Sequence, residues 1–350
     1  GLSSQSASID LHSLQHQLQA WSDRPLSTQP SQSELIQVAL HILEVGDFQE
    51  RWDVTKLLTQ FGVVVIAPIL DRLAETDDDW ELQWHLIRAL GQIQHPDAIA
   101  ALAAQLCTAS HPDVAQAAAI ALASMGAVAI PVLVTALQTP SARSLAAQAL
   151  AQINDPAIIP ALLTVVDDAD PSVRSGAIEA LIGFPNEMVL QQQPSTLISI
   201  LLAGLKDPNV SVRRAAVTGL GLRSHLFDPT LLVLHIQPLL YDLNLQVCQQ
   251  AAIALSRIGT ASSITALSNL LRSPHTPASL YKTAIQGLVW MEPSDAIAAL
   301  QQPFHKSLDV PDSPAIAQDI ITTLGQLEST ALQQSATELL LSGLAHRSLQ

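Results

Sequence analysis

A leucine returns along this chain at intervals close to one-tenth of its length. It stands at Leu58, Leu90, Leu122, Leu150, Leu181, Leu220, Leu255, Leu288 and Leu324, with gaps of 32, 32, 28, 31, 39, 35, 33 and 36 residues. Self-similarity at a period of roughly 20–50 residues belongs to stacked repeats, in which each unit covers its apolar face only by packing on its neighbours. A chain of 350 residues built this way need not divide into globular domains, because its core grows along the stack.

Counting back from each anchor leucine, apolar or small residues fall at minus 8, 5, 4 and 1. Val114, Ala117, Ala118 and Ala121 hold these places before Leu122, and Val212, Ala215, Ala216 and Gly219 before Leu220. Steps of three and four describe one face of a helix. At minus 4 the residue is small in five consecutive units (Ala118, Ala146, Ala177, Ala216 and Ala251), which predicts a close approach of neighbouring helices. Gly62, Gly126 and Gly259, each four past an anchor, are expected at left-handed helix ends. A second short helix is expected after each break, with Pro131 and Pro160 in or near first turns, where a missing N–H costs least. The fold class is therefore all-α: a right-handed α-solenoid of about nine helical hairpins. Residues 1–33 read as a partly ordered Ser/Gln-rich segment, 34–46 as a capping helix, 47–344 as the solenoid and 345–350 as a tail. The widest gap contains Pro185 to Ser195, an expected loop insertion.

Only 13% of residues are charged and 3% aromatic, while 48% are hydrophobic; aliphatic residues must build the core. With 16 Lys and Arg against 31 Asp and Glu, the net charge of −15 disfavours nucleic acid and anionic membranes, which bind through excess cations. It favours a protein partner with a basic surface. Cys107 and Cys248 lie far apart in sequence and form no CxxC pair, which points to a reducing, cytoplasmic setting without a disulfide framework. The opening GLSSQSASIDLHSLQ has no signal-peptide pattern. Ala117 to Leu137 is long and apolar enough for a membrane span, but Leu122 on the repeat register and Gly126 at the break predict a buried hairpin instead.

Two unit starts carry a recognisable motif: Asp170-Pro171-Ser172-Val173-Arg174, and Asp207-Pro208-Asn209-Val210-Ser211-Val212-Arg213. They resemble HEAT repeats, in particular the alanine-rich phycobilisome-lyase HEAT-like repeats of cyanobacteria and related bacteria, over roughly residues 47 to 344. The resemblance implies a structural ladder of Arg51, Arg143, Asp170, Arg174, Asp207 and Arg213. It also implies three functional settings: a non-catalytic adaptor in phycobilisome or other photosynthetic or cofactor assembly, a bilin lyase or isomerase, and an iron–sulfur assembly adaptor. Fold alone does not choose among them. The adaptor is the expected function, with no cofactor; a bilin enters only with the lyase alternative.

No phosphate-binding glycine loop or nucleophile motif is present. His12 and His16 share helical spacing but lack a third ligand nearby. The candidate binding residues are Asp77, Asp78, Asp79, Trp80, Trp84 and Arg88, at a turn between two units, together with Trp290. Acids at a helix start complement its dipole, whereas exposed Trp and Arg are enriched at protein-binding hot spots.

Overall fold

The computed structural model describes residues 32–76, 79–184, 194–273, 275–291, 294–309, 314–325 and 330–348, and every regular element among them is helical. The insertion loop up to residue 193, Asp77, Asp78, His12 and His16 lie outside the described residues. The chain forms two compact units, Gly1–Ala180 and Leu181–Gln350.

All nine anchor leucines are buried, eight with no exposed surface and Leu324 at 3%. Each belongs to the first helix of a hairpin. In the first unit the first helices Phe48–Leu58, Trp80–Leu90, Pro112–Met125 and Arg143–Gln152 pack in succession, with second helices Ile66–Glu75, Pro96–Thr108, Ile130–Ala136 and Ile159–Leu163. Helix Gln32–Val45 covers the open end by packing on Phe48–Leu58. In the second unit Val210–Leu222, Leu245–Ile258, Ala278–Trp290 and Pro314–Leu324 repeat the arrangement, and the last helix, Thr330–Ser348, continues past Leu344. The predicted small residues Ala118, Ala146, Ala177, Ala216 and Ala251 are all fully buried.

The closest helix crossings have a register of their own. The residue after one anchor faces the residue before the next. A β-carbon on Gly91 would lie 2.7 Å from the Ala121 Cβ, and one on Gly221 would lie 2.8 Å from the Ala254 Cβ. At the Ile182–Gly219 and Ser256–Gly287 crossings the glycine is on the later helix instead. Each of these crossings keeps one glycine because two side chains do not fit.

Gly62, Gly126 and Gly259 all have positive φ (64°, 70° and 67°). Gly259 is the expected left-handed cap, with ψ of 20°. Gly62 and Gly126 differ: their ψ of −140° and −139° sharply redirects the chain in a region that side chains with a Cβ avoid. These breaks bear on membrane insertion. Phe48–Glu75 and Pro112–Ala136 are long and apolar enough to cross a bilayer by length and composition, but each is two helices interrupted at such a glycine.

Buried Arg223 holds the second unit together locally. Its Nη2 donates to the carbonyls of Leu181, Ile182 and Phe184, satisfying orphan acceptors at a helix end. Burial pushes its pKa down.

Candidate functional site

The starts of the helices Phe48–Leu58, Trp80–Leu90 and Pro112–Met125 are fixed by side-chain caps. Asp47 Oδ1 accepts from the Glu50 N–H at 2.9 Å while Glu50 Oε2 accepts from the Asp47 N–H at 2.9 Å, a reciprocal capping box. Asp79 Oδ1 accepts from the Leu82 N–H at 3.0 Å, and His111 Nδ1 accepts from the Asp113 N–H at 3.3 Å. With the starts aligned, positions 10, 6 and 2 before each anchor form a solvent-facing stripe. In the first two hairpins this stripe reads Phe48, Trp52, Lys56 and Trp80, Trp84, Arg88; in the next it reads Pro112, Gln116, Ile120.

The aromatic side chains of this stripe meet across hairpins. Trp52 stacks between Phe48 and Trp84, with centroids 6.4 Å apart on both sides. The Arg88 guanidinium lies 4.7 Å from the Trp52 ring centre and 4.6 Å from that of Trp84. Lys56 Nζ is 5.3 Å from Trp52. Trp80 stacks on the His111 ring at 4.3 Å, with planes 10° apart. Cations and flat rings thus share their faces over three hairpins, each contact contributing roughly 0.5–1 kcal/mol at exposed positions.

Beneath the ridge lies His85, edge-on to Trp84 at 5.0 Å. Its Nδ1 is 2.9 Å from Thr55 Oγ1, whose own proton goes to the Arg51 carbonyl at 2.7 Å. In the neutral ring, Nδ1–H is therefore the donor to Thr55. Burial, then the charges of Arg51 and Arg88, push the His85 pKa down to about 4 against a smaller opposing effect of Asp79. The imidazole is neutral at pH 7 and behaves as part of the aromatic floor.

Trp80 and Trp84 separate two clefts. One, of about 320 Å³, is lined by Phe48, Arg51, Trp80, Glu81, Trp84 and His85. The other, of about 330 Å³, lies towards Asp113, Gln116 and Ile120. Both are open apolar grooves edged with charge. Among the described residues no three His, Cys, Asp or Glu side chains are grouped to hold a metal ion, and the hydroxyl–imidazole contact beneath the ridge, Thr55 with His85, is buried with the ring as donor. What it offers is flat apolar surface and charge, the chemistry of association.

The structure thus brings Trp80, Trp84 and Arg88 together and adds Phe48, Trp52, His85 and His111, which the sequence reading passed over. Aligning the units on the anchors and reading the solvent-facing stripe would have found Phe48 and Trp52. The acids beside the ridge have internal partners. Asp79 caps its helix, Glu81 is 3.5 Å from Arg51, and Glu44 and Glu75 hold Arg72. Trp290 is 69% exposed at the end of its helix in the second unit.

The arginines expected in a ladder are each bonded to backbone carbonyls just before their own helix. Arg51 donates to Glu44 and Gly46, Arg143 to Leu137, Arg174 to Asp168 and Ala169, and Arg213 to Asp207 and Pro208. Arg143 reaches Asp168 of the next hairpin at 3.1 Å, and Arg213 forms a two-point pair with Asp242 at 2.8 and 2.9 Å. Asp168 and Asp242 thus act as bridging acids. Asp170 has another role: its Oδ1 accepts from the Ser172 N–H and hydroxyl, both at 2.8 Å, at the helix start. Asp207 sits in the Asp168 register, accepting from the Asn209 N–H at 2.8 Å. Burial opposes ionisation of Asp242, but the hydrogen bonds from Arg213 and the Asn244 N–H hold its pKa below the usual carboxylate value. Cys248 occupies the next arginine position and its thiol donates to the Asp242 carbonyl at 3.1 Å. Burial and the Asp242 charge raise its pKa.

Comparison with known proteins agrees with the architecture. No curated protein matches the chain. Among solved structures, an engineered protein is 20% identical, covers 87% of this chain and 98% of its own, and has a TM-score of 0.46. The Escherichia coli protein YibA is 18% identical over 79% of this chain and 97% of its own, with a TM-score of 0.50, which shows a shared fold. The complex of CpcE and CpcF of phycocyanin lyase from Nostoc sp. PCC7120 is 28% identical over 45% of this chain and 97% of that one, at a TM-score of 0.39. A family model for HEAT repeats matches residues 66–143, 139–192 and 198–279. Spanning more than half of the sequence and both compact units, these matches make the chain a member of the HEAT-repeat family.

Proposed function

We propose that this protein is a non-catalytic scaffold or adaptor that binds a partner protein on the Trp80–Trp84–Arg88 ridge of its first unit. The observation that carries this reading is the stripe itself. At the places where Phe48, Trp52, Trp80 and Trp84 stand, the following hairpins have Pro112, Gln116, Pro140 and Ser144, so stacking of hairpins does not require the aromatics. Trp and Arg beside desolvated grooves are the residues on which binding energy concentrates. Residues 1–180 carry 20 Asp and Glu against 7 Lys and Arg, and residues 181–350 carry 11 against 9. A partner with a basic surface is thus steered to the first unit.

Assembly of a light-harvesting antenna or another cofactor-containing complex in the cytoplasm is the setting that the family resemblance suggests. The lyase alternative needs free cations for bilin propionates and a carboxylate to move protons. Three of the ladder arginines, Arg143, Arg174 and Arg213, spend donors on backbone carbonyls and, at Arg143 and Arg213, on aspartates, which favours the adaptor. An absorption shift of phycocyanobilin at micromolar concentration would restore the lyase. The direct test is affinity purification from native extract with quantitative mass spectrometry, comparing the wild type, a Trp80→Ala/Trp84→Ala variant and a Trp290→Ala control. A partner retained by wild type and control but lost by the double variant is expected. Equal recovery by all three, with helicity intact, overturns the proposal.

A further inference from the structure

The second unit has an apolar surface that its stacking does not explain. Helix Pro229–Ile236 and the turn to Tyr241 bury Leu232, Val233, Ile236, Leu239 and Leu240, as a second helix should. The opposite side is apolar as well: Leu231, Leu234, Pro238 and Tyr241 are all exposed, at the spacing of a single helical face. Other second helices present small or polar residues outward. Ala100, Ala104 and Thr108 do so on Pro96–Thr108, Pro131 and Thr135 on Ile130–Ala136, and Ser262, Thr265 and Asn269 on Ala261–Arg272.

The loop that follows departs from the repeat in the same way. Two earlier hairpins enter their next helix through Asp167-Asp168-Ala169-Asp170 and Lys206-Asp207-Pro208-Asn209; here the same four places read Tyr241-Asp242-Leu243-Asn244. The ladder acid and the capping residue are kept, as the bonds from the Asn244 and Gln246 N–H groups show. The two free places have changed to Tyr241 and a fully exposed Leu243. Beside them opens a groove of about 280 Å³ edged by Leu245, Cys248, His275 and Thr276. A contiguous exposed apolar surface of this kind marks an interaction site.

Charge identifies its occupant. Although the chain is acidic, residues 201–282 carry 7 Lys and Arg against 3 Asp and Glu. Of these groups, Asp242 and Arg213 pair with each other, Asp228 caps the helix Pro229–Ile236, Arg223 is buried and Lys282 lies 3.5 Å from Asp319, which leaves the exposed cations beside the loops to set the local charge. Exposed Lys206 lies in the turn after the second helix of the preceding hairpin, and exposed Arg272 and His275 lie at the end of the second helix and in the following loop of the next. We infer that the Leu231–Leu234–Tyr241–Leu243 surface docks an acidic segment of another protein, whose large apolar side chains fill the groove while its carboxylates face Lys206, Arg272 and His275. This site is independent of the first-unit ridge. Together the two would let one chain join a basic and an acidic partner.

The test uses the full chain and a phage-displayed library of random twelve-residue peptides. Enriched sequences are expected to carry at least two large apolar residues and net negative charge. As synthetic peptides, in fluorescence polarisation, they should bind Leu234→Asp and Leu243→Asp at least tenfold more weakly, Lys206→Glu severalfold more weakly, and Trp80→Ala unchanged. All four positions are exposed, and an unchanged melting curve establishes that each variant is folded. No enrichment, enriched peptides of positive charge, or equal binding to Leu243→Asp overturns the inference. So does self-association of the full chain in sedimentation velocity that Leu243→Asp abolishes, since the occupant is then a second copy.

Discussion

Replacing Gly221 with alanine should destabilise the second unit, whereas the same replacement at Gly176 should stabilise the first. Both glycines lie in first helices, where alanine is favoured over glycine by about 1 kcal/mol. Their surroundings differ. Nothing lies within 4 Å of a β-carbon built on Gly176, while one on Gly221 falls 2.8 Å from the Ala254 Cβ and 2.9 Å from its Cα. Ordinary carbon contacts begin near 3.5 Å, so the helices must part by about 0.7 Å. Overpacking of this kind costs roughly 1–3 kcal/mol, leaving Gly221→Ala destabilised by on the order of 1 kcal/mol after the propensity gain. Urea denaturation followed by circular dichroism reads both changes as shifts of midpoint at constant slope. Ala254→Gly removes the methyl group at 2.8 Å but leaves the Cα at 2.9 Å, so it should relieve Gly221→Ala only in part. A coupling of about 1 kcal/mol is expected between residues in such contact. If Gly221→Ala stabilises as Gly176→Ala does, or if the double variant shows no coupling, the proposed crossing register is wrong.

His85 makes stability depend on pH. Its folded pKa of about 4 lies below the ordinary value of 6.5, so the unfolded chain binds the extra proton between these values. Its contribution is complete above pH 6.5 and falls on acidification towards pH 4, by on the order of 3 kcal/mol; His85→Gln should flatten that part of the profile in denaturation measured at several pH values. Arg213→Ala leaves Asp242 buried without its two-point partner and should cost about 3 kcal/mol in the same assay, whereas an unchanged midpoint would mean the pair is dispensable. Cys107 should react with iodoacetamide well before Cys248, whose thiol is buried and has a raised pKa; mass spectrometry of partly labelled protein gives the order, and equal rates would contradict it.

The repeat was legible because burial acts on every anchor alike. Leu58 through Leu324, and the alanines four residues before five of them, are read directly from spacing, since one period governs the covered face. The ridge was half legible. Trp80 and Trp84 are conspicuous beside a run of acids, but Phe48 and Trp52 matter only through cross-hairpin stacking, which emerges when solvent-facing positions of successive helices are aligned. His85 gave no signal, because its neutrality comes from burial and from Arg51 and Arg88. The ladder was misread at one rung for a local reason. Asp168 and Asp170 are two residues apart, and either could cap a helix or meet an arginine until geometry assigns the roles. Asp242 was missed because Cys248 stands where an arginine would have completed the motif. The glycines at helix crossings were visible, but their pairing with Ala121 and Ala254 depends on distances between helices.

The outward faces of the first two repeats are proposed as the place where another protein binds. Hydrogen–deuterium exchange of the full chain, with and without the partner recovered by affinity purification, tests this directly. Slower exchange centred on Phe48–Leu58 and Trp80–Leu90 is predicted. Protection confined to other helices, with these two exchanging as in the free protein, would contradict it.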